Sequence, residues 1–166
     1  MSDTELVWSL IGQCVGFPMS IRAGELGNRL RGMNVVDLER FVQGVRELLG
    51  AAYTEELWGA AHVIWGGCSD DGFDDFLGWL ILQGKEVYEA SLRDPDSLVD
   101  VEGVEESSLE GLTALAVDIF RQRTGRAVSG QRVRPRILPG LAARFANEVE
   151  MQRRYPRLSE RFDEEV

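Results

Sequence analysis

Residues 53–84, YTEELWGAAHVIWGGCSDDGFDDFLGWLILQG, decide how this chain is read. They hold three of its four tryptophans (Trp58, Trp65, Trp79), its one histidine (His62), one of its two cysteines (Cys68) and four aspartates. Thr54 is a side-chain cap placed ahead of Leu57, Trp58, Ala61, Val63, Ile64 and Trp65, a helical run apolar on most of its circumference. Such a helix belongs at the centre of a fold. Gly66 and Gly67 stop it, because glycine takes the left-handed conformation of a helix C-terminus without a steric penalty. Ser69 then opens a second helix over 70–83, with Phe73, Phe76, Leu77, Leu80 and Ile81 on its buried face, and Gly84 closes it. The predicted hub is a helix–GGCS–helix corner.

The same reasoning extends in both directions. Leu6, Leu10, Ile11 and Cys14 form a stripe within 4–15, ended by Gly16 and Pro18. A short helix is expected over 24–31. Asn34 caps a long one over 35–50, where Leu38, Phe41, Val42, Val45, Leu48 and Leu49 recur at helical spacing. Another runs over 85–93 and ends before Asp94-Pro95, with one more turn at 95–98. Residues 101–108 are acidic and read as a surface connection. An amphipathic helix follows over 109–123, then an arginine-rich loop over 124–136, then helix again over 138–153 and 156–162. Val128, Val133 and Ile137 offer at most a short extended piece. Strand signals are nearly absent, so the expectation is all-α: one domain over 1–166 with about seven to nine helices and little or no β.

A chain of 166 residues suits one domain with a sizeable core. No apolar run approaches the roughly 18–20 residues that span a membrane, and the acidic start lacks the basic region of a signal peptide. Two cysteines make no disulfide framework. These features predict a cytoplasmic protein with no membrane contact. The net charge of −10 argues against broad affinity for phosphate backbones. It is unevenly spread: residues 1–118 carry 7 Lys and Arg against 22 Asp and Glu, net −15, and residues 119–166 carry 11 Arg against 6 acidic residues, net +5.

Three groups of side chains invite chemistry. Asp70/Asp74 and Asp71/Asp75 are i, i+4 pairs on a helix, and such carboxylates could hold magnesium on a diphosphate, in the manner of the first aspartate-rich motif of isoprenoid synthases. Those enzymes need a second acidic cluster, which this sequence lacks. The competing structural role is simpler, since acidic residues in a first helical turn favour its positive end. Asp74 and Asp75 lie beyond that turn and leave an excess of negative charge for a cation or a basic partner. His62 and Cys68 form the second group: a thiol just ahead of a helix N-terminus is in the right place for a depressed pKa. The third is the arginine cluster Arg121, Arg123, Arg126, Arg132, Arg134 and Arg136, which has no interleaved aromatics to stack on bases. Its competing role is to pair with the acidic part of the same chain. Trp58 and Trp65 are either core residues or a contact surface.

The run Leu57 to Ala61 (LWGAA), the eight letters GGCSDDGF from Gly66 to Phe73, Trp79-Leu80-Ile81, Gly84 and Asp94-Pro95-Asp96 together resemble a bacterial family known as domain of unknown function 4240. The resemblance covers roughly 5–99, placing a family-like core at 1–100. The tail, with Tyr155-Pro156-Arg157-Leu158 and Arg161-Phe162, is similar to the ending of such proteins. The resemblance implies a smaller apolar residue where Trp65 stands, and it does not extend to the arginine-rich loop. The resemblance implies a small, helical, cytoplasmic protein and supplies no catalytic residues. No cofactor motif is present, so none is expected. The favoured reading is a non-enzymatic protein-binding or regulatory module that takes a basic protein partner through Trp58, Trp65, Asp70, Asp71 and the arginines Arg132, Arg134 and Arg136. The alternative is a small-molecule or metal-dependent enzyme using His62, Cys68, Asp70 and Asp71, with Asp74 and Asp75 as further metal ligands. A third is nucleic-acid binding by the arginine loop.

Overall fold

The chain enters its first helix through a capping box. Ser2 Oγ accepts the Glu5 N–H at 3.1 Å, and the Glu5 carboxylate accepts the Ser2 N–H at 2.6 Å, which satisfies donors that α1 (Asp3–Cys14) would otherwise leave bare. The computed structural model describes residues 1–106, 111–130 and 140–162. After α1 come α2 (Met19–Gly32), α3 (Val35–Ala52), α4 (Glu55–Trp65), α5 (Asp70–Leu82), α6 (Lys85–Arg93), a 3-10 turn (Pro95–Asp100), a second one (Val104–Glu106), α7 (Leu112–Thr124), α8 (Leu141–Phe145), α9 (Glu148–Arg154) and α10 (Pro156–Phe162). Nine of the ten α-helices have seven residues or more, and there is no strand among the described residues. The fold is all-α, and buried residues from α1 through α10 form one hydrophobic core.

Several caps stand where the sequence puts them. Asn34 accepts the Asp37 N–H, Thr54 the Leu57 N–H and Ser69 the Gly72 N–H, while Gly66 ends α4 at φ 67°. Three expectations are corrected. Helix α2 begins at Met19 rather than at residue 24, because Pro18 stands just ahead of the first turn, where a missing N–H breaks no helical bond. The helix expected over 138–153 is two, since Asn147 takes the Glu150 N–H at 3.1 Å and starts α9 afresh. The acidic connection is not wholly superficial, for Val104 is fully buried. Residues 107–110 and 131–139, including Val133 and Ile137, lie outside the described residues; Val128 is buried and outside any strand.

Two tertiary devices set the helix positions. Gly44 on α3 is where α1 crosses, so close that a Cβ there would stand 2.6 Å from the Asp3 carbonyl carbon and 2.8 Å from Val7 Cγ2. Arg22, on α2, is only 8% exposed. Its guanidinium donates to Val15 O at 2.8 Å, to Phe17 O at 3.1 and 2.9 Å, and to Leu82 O at 2.8 Å. Val15 is the C-cap of α1 and Leu82 the last residue of α5. The cation thus sits on the negative ends of two helices, each equivalent to about −0.5 charge. Burial still pulls the Arg22 pKa below its ordinary value.

The Asp94-Pro95-Asp96 motif has a structural role. Asp94 accepts the Asp96 N–H at 3.1 Å, fixing the turn. The buried Asp96 carboxylate accepts the Arg157 and Leu158 N–H groups at 3.1 and 2.9 Å, capping α10 from 61 residues away in sequence. Asp96→Ala is expected to destabilise the protein by about 1–2 kcal/mol, as removal of a side-chain cap does. Amide exchange would localise the loss, with protection falling first in α10 and not in α1 or α3.

Candidate functional site

The GGCS corner does not fold as a simple hairpin of helices. Trp58, in the first turns of α4, donates its indole N–H to Cys68 O at 2.8 Å. The Tyr53 hydroxyl, just ahead of α4, hydrogen-bonds the Asp70 carboxylate. Residues 66–69 therefore run back along α4, and α5 starts beside the start of α4. Two positive helix ends lie together, and Glu55, Glu56, Asp70 and Asp71 occupy their first turns. Each such carboxylate contributes roughly 0.3–1 kcal/mol at a helix start. Asp75 lies near the start of a third helix: a Cβ on Gly111, the N-cap of α7, would stand 3.6 Å from Asp75 Oδ1. Carboxylates of this segment thus stand near the starts of three helices. Among the described residues no group of three or more His, Cys, Asp or Glu is arranged to hold a metal ion.

His62 and Cys68 have different neighbours. The imidazole lies 5.2 Å from the Phe145 ring and lines a small pocket with Val63, Gly66, Phe145, Ala146, Glu148 and Met151. Burial lowers its pKa, which favours a neutral ring. The Cys68 thiol donates to Ser69 O at 3.6 Å and lies beside Gly72. Burial pushes it up to about 12, the opposite of the depressed value expected at a helix start. Desolvation of the thiolate outweighs the helix dipole here. Tyr88 and Tyr155 are also pushed up to about 12 by burial.

The unfolded chain releases these three protons near its ordinary values, roughly 8.5 for Cys and 10 for Tyr, while the folded chain keeps them. Stability is therefore expected to be full below about pH 8.5 and to fall as the pH rises toward 12. Urea midpoints measured from pH 7 to 11 check this, and a midpoint that rises in that window would contradict it. Iodoacetamide at pH 7.5 is expected to alkylate Cys68 at least about tenfold more slowly than an unstructured cysteine, since the thiolate is the reactive form.

Trp58 is buried and stacks on Phe73 at 5.0 Å with 10° between the rings, so it is part of the core. Trp65 is half-buried and meets Phe76 edge-on at 5.6 Å. Arg132, Arg134 and Arg136 lie outside the described residues. Most other arginines after residue 118 have partners in their own chain. Arg144 and Arg154 both reach Glu55, at 3.0 and 3.5 Å. Arg157 meets Asp100 at 2.6 Å, Arg161 meets Glu105 at 3.3 Å and Val99 O at 2.6 Å, and Arg123 donates to Met33 O. Tyr155 completes this docking: its hydroxyl donates to Glu56 O at 2.6 Å across Gly59, where a Cβ would stand 2.9 Å from Tyr155 Cζ. That contact accounts for the glycine of LWGAA.

A cleft of about 760 Å³ lies away from the corner, between the start of α2, the end of α5, α6 and residues 100–103. Met19, Trp79, Val87 and Val101 give it apolar walls, with Arg22 and Gln83 inside and Asp100 and Glu102 among its lining. Neither Arg22 nor Gln83 stood out in the sequence, because a lone arginine or glutamine carries no spacing signal.

The class defined by these features is a small helical protein in which, among the described residues, the carboxylates of the corner stand at helix starts and most arginines after residue 118 are paired within the chain. The model of a family described as a protein of unknown function, DUF4240, matches residues 3–122, and the chain belongs to that family. The match runs through most of α7, beyond the 5–99 legible in the sequence, and stops short of the tail at 155–162. No curated protein and no solved structure matches the chain.

Proposed function

We propose that the chain is a non-enzymatic, cytoplasmic module that binds a basic protein partner. The observation that supports this reading is the charge balance after internal pairing. The arginines of α8 to α10 are held by Glu55, Asp100 and Glu105 and by neighbours in their own helices. The rest of the surface keeps the acidic surplus that gives the chain its net charge of −10. Exposed carboxylates such as Glu56, Asp71, Glu86 and Glu102 have no ion pair among the described residues. Complementary charge steers association and weakens with salt, so a basic partner is the one this surface favours. The reactive letters of the corner serve helix ends and the core, and the metal-dependent alternative gains no support from them.

No helix among the described residues is long and apolar enough to cross a membrane. Cys14 and Cys68 are both free thiols, consistent with a reducing compartment. The test is affinity purification of the full chain from the cells that make it, at low and at high salt. A stoichiometric basic protein retained at about 50 mM salt and lost at about 500 mM is the expected result, since surface charge is screened over that range. Absence of any stoichiometric protein would remove the reading. Nucleic acid is expected not to bind: mixed DNA and RNA should give no salt-sensitive shift.

A further inference from the structure

Helices α8 to α10 lie on the rest of the fold as a layer of their own. Their main packing outside themselves is on α4 and on the turn Pro95–Asp100, while α1, α2, α3, α5 and α7 pack on one another. Residues 141–162 carry five arginines against three glutamates, net +2, and the face beneath them is acidic. Glu55 takes Arg144 and Arg154, Asp100 takes Arg157, Glu105 takes Arg161, and Asp96 takes the first N–H groups of α10. The seam between the two is incompletely filled. A cleft of about 260 Å³ opens between His62 and Val63 of α4 and Phe145, Glu148 and Met151, and one of about 570 Å³ between Ile64 and Trp65 and Arg161 and Phe162. Two buried polar atoms of the layer, Arg144 Nε and Ser159 Oγ, have no hydrogen bond among the described residues, and such groups weaken the packing that buries them. The three helices have five, seven and seven residues, too few to persist undocked. Their ion pairs are partly exposed and screened by salt. Without the layer, α4 still keeps Trp58 stacked on Phe73 and its indole N–H bonded to Cys68 O.

We propose that α8 to α10 form a strap that opens as one unit while the other helices stay folded, and that the acidic face it uncovers takes a basic amphipathic helix of the protein partner. Elements held by few apolar contacts and exposed polar ones open well before the whole chain unfolds. The strap is the intrachain stand-in for the partner's helix. Its arginines meet Glu55, Asp100 and Glu105, its tyrosine reaches Glu56 O across Gly59, and its α10 start gives N–H groups to Asp96. A basic helix that begins with these features fits the same groups, and an apolar stripe on it fills the places of Met151 and Leu158. The family model matches residues 3–122, so it covers the receiving face and not the strap. The inference rests on the reading that the chain binds a basic protein, and it names where and by what exchange.

Hydrogen exchange of the full chain at about 50 and 500 mM salt reads the opening. Amides of α8 to α10 are expected to exchange together, about tenfold or more faster than those of α3, and faster still at high salt. Exchange no faster than that of α3 overturns the strap. Arg157→Gln, an exposed substitution that leaves the acidic face intact, is expected to speed this exchange about threefold, and Ser159→Ala, which removes the unbonded hydroxyl, to slow it about threefold. A fluorescent peptide with the sequence of residues 147–162 then probes the face. It is expected to bind R157Q saturably and about threefold or more tighter than the unaltered chain, and S159A more weakly. The same peptide with its four arginines replaced by glutamate is expected not to bind. Equal affinity for the three chains, no saturable binding, or binding of the charge-reversed peptide overturns the face assignment. Concentration-dependent dimerisation of R157Q would make a second copy the occupant and overturn the partner. If a basic protein co-purifies equally well with R157Q and S159A, this face fails and the broader reading stands. If exchange and peptide behave as expected and no protein co-purifies, the broader reading fails and the strap remains.

Discussion

Arg22→Met is expected to destabilise the protein by about 3 kcal/mol or more, the range seen when one partner of a buried charged network is removed. Four hydrogen bonds to Val15, Phe17 and Leu82 carbonyl oxygens disappear together. Methionine fills much of the volume, so the loss is not chiefly a cavity. It comes from buried carbonyls left bare, roughly 1–3 kcal/mol for each group that water cannot reach. Thermal unfolding should fall by roughly 6–12 °C, taking about 2–4 °C per kcal/mol for a chain of this size. Arg22→Lys should recover only part of this, because an ammonium cannot spread its donors over three oxygens in one plane. A loss below about 1 kcal/mol in R22M would show that α1 and α5 do not need the cation to end side by side.

Gly44→Ala is expected to destabilise by about 2–3 kcal/mol, although alanine gains about 1 kcal/mol of helix propensity over glycine. The added methyl would meet the Asp3 carbonyl carbon at 2.6 Å and Val7 Cγ2 at 2.8 Å. The first contact is backbone, so no rotamer relieves it, and α1 has to move away from α3. Denaturant unfolding of G44A beside Gly24→Ala, where a Cβ meets nothing within 4 Å, separates the two effects. The first should lose stability and the second should gain it. Equal behaviour of the two would remove Gly44 as the point that fixes the α1–α3 approach.

Much of the fold was legible because capping and periodicity are local. Asn34, Thr54, Ser69 and Gly66 each act within three or four residues of themselves, and each does what its spacing implies. The errors fell where a local signal was ambiguous or missed. Pro18 reads as a stop but precedes a start, and Asn147 is a cap inside what looked like one helix. At the corner, the sequence identified the right residues as helix caps yet left a surplus of charge that seemed to ask for a ligand. That surplus depended on knowing how many helix ends share the neighbourhood. The answer is three, because Tyr53 and Trp58 draw 66–70 back along α4 and α5 carries Asp75 to the start of α7.

What the sequence alone determined is therefore the helical class, most helix boundaries and the acidic balance of the surface. These follow from hydrogen bonds and hydrophobic periods within a few residues, and from a count of charges. Tertiary structure alone decided which charges are spent. Arg22 is held by carbonyls 5 to 60 residues away, Asp96 caps a helix 61 residues on, and Glu55 takes two arginines from α8 and α9. The set of exposed carboxylates left without an ion pair, Glu56, Asp71, Glu86 and Glu102 among the described residues, is the remainder of those pairings. It could not be read from the chain because electrostatic compensation is set by distance in space, and distance in sequence says nothing of it.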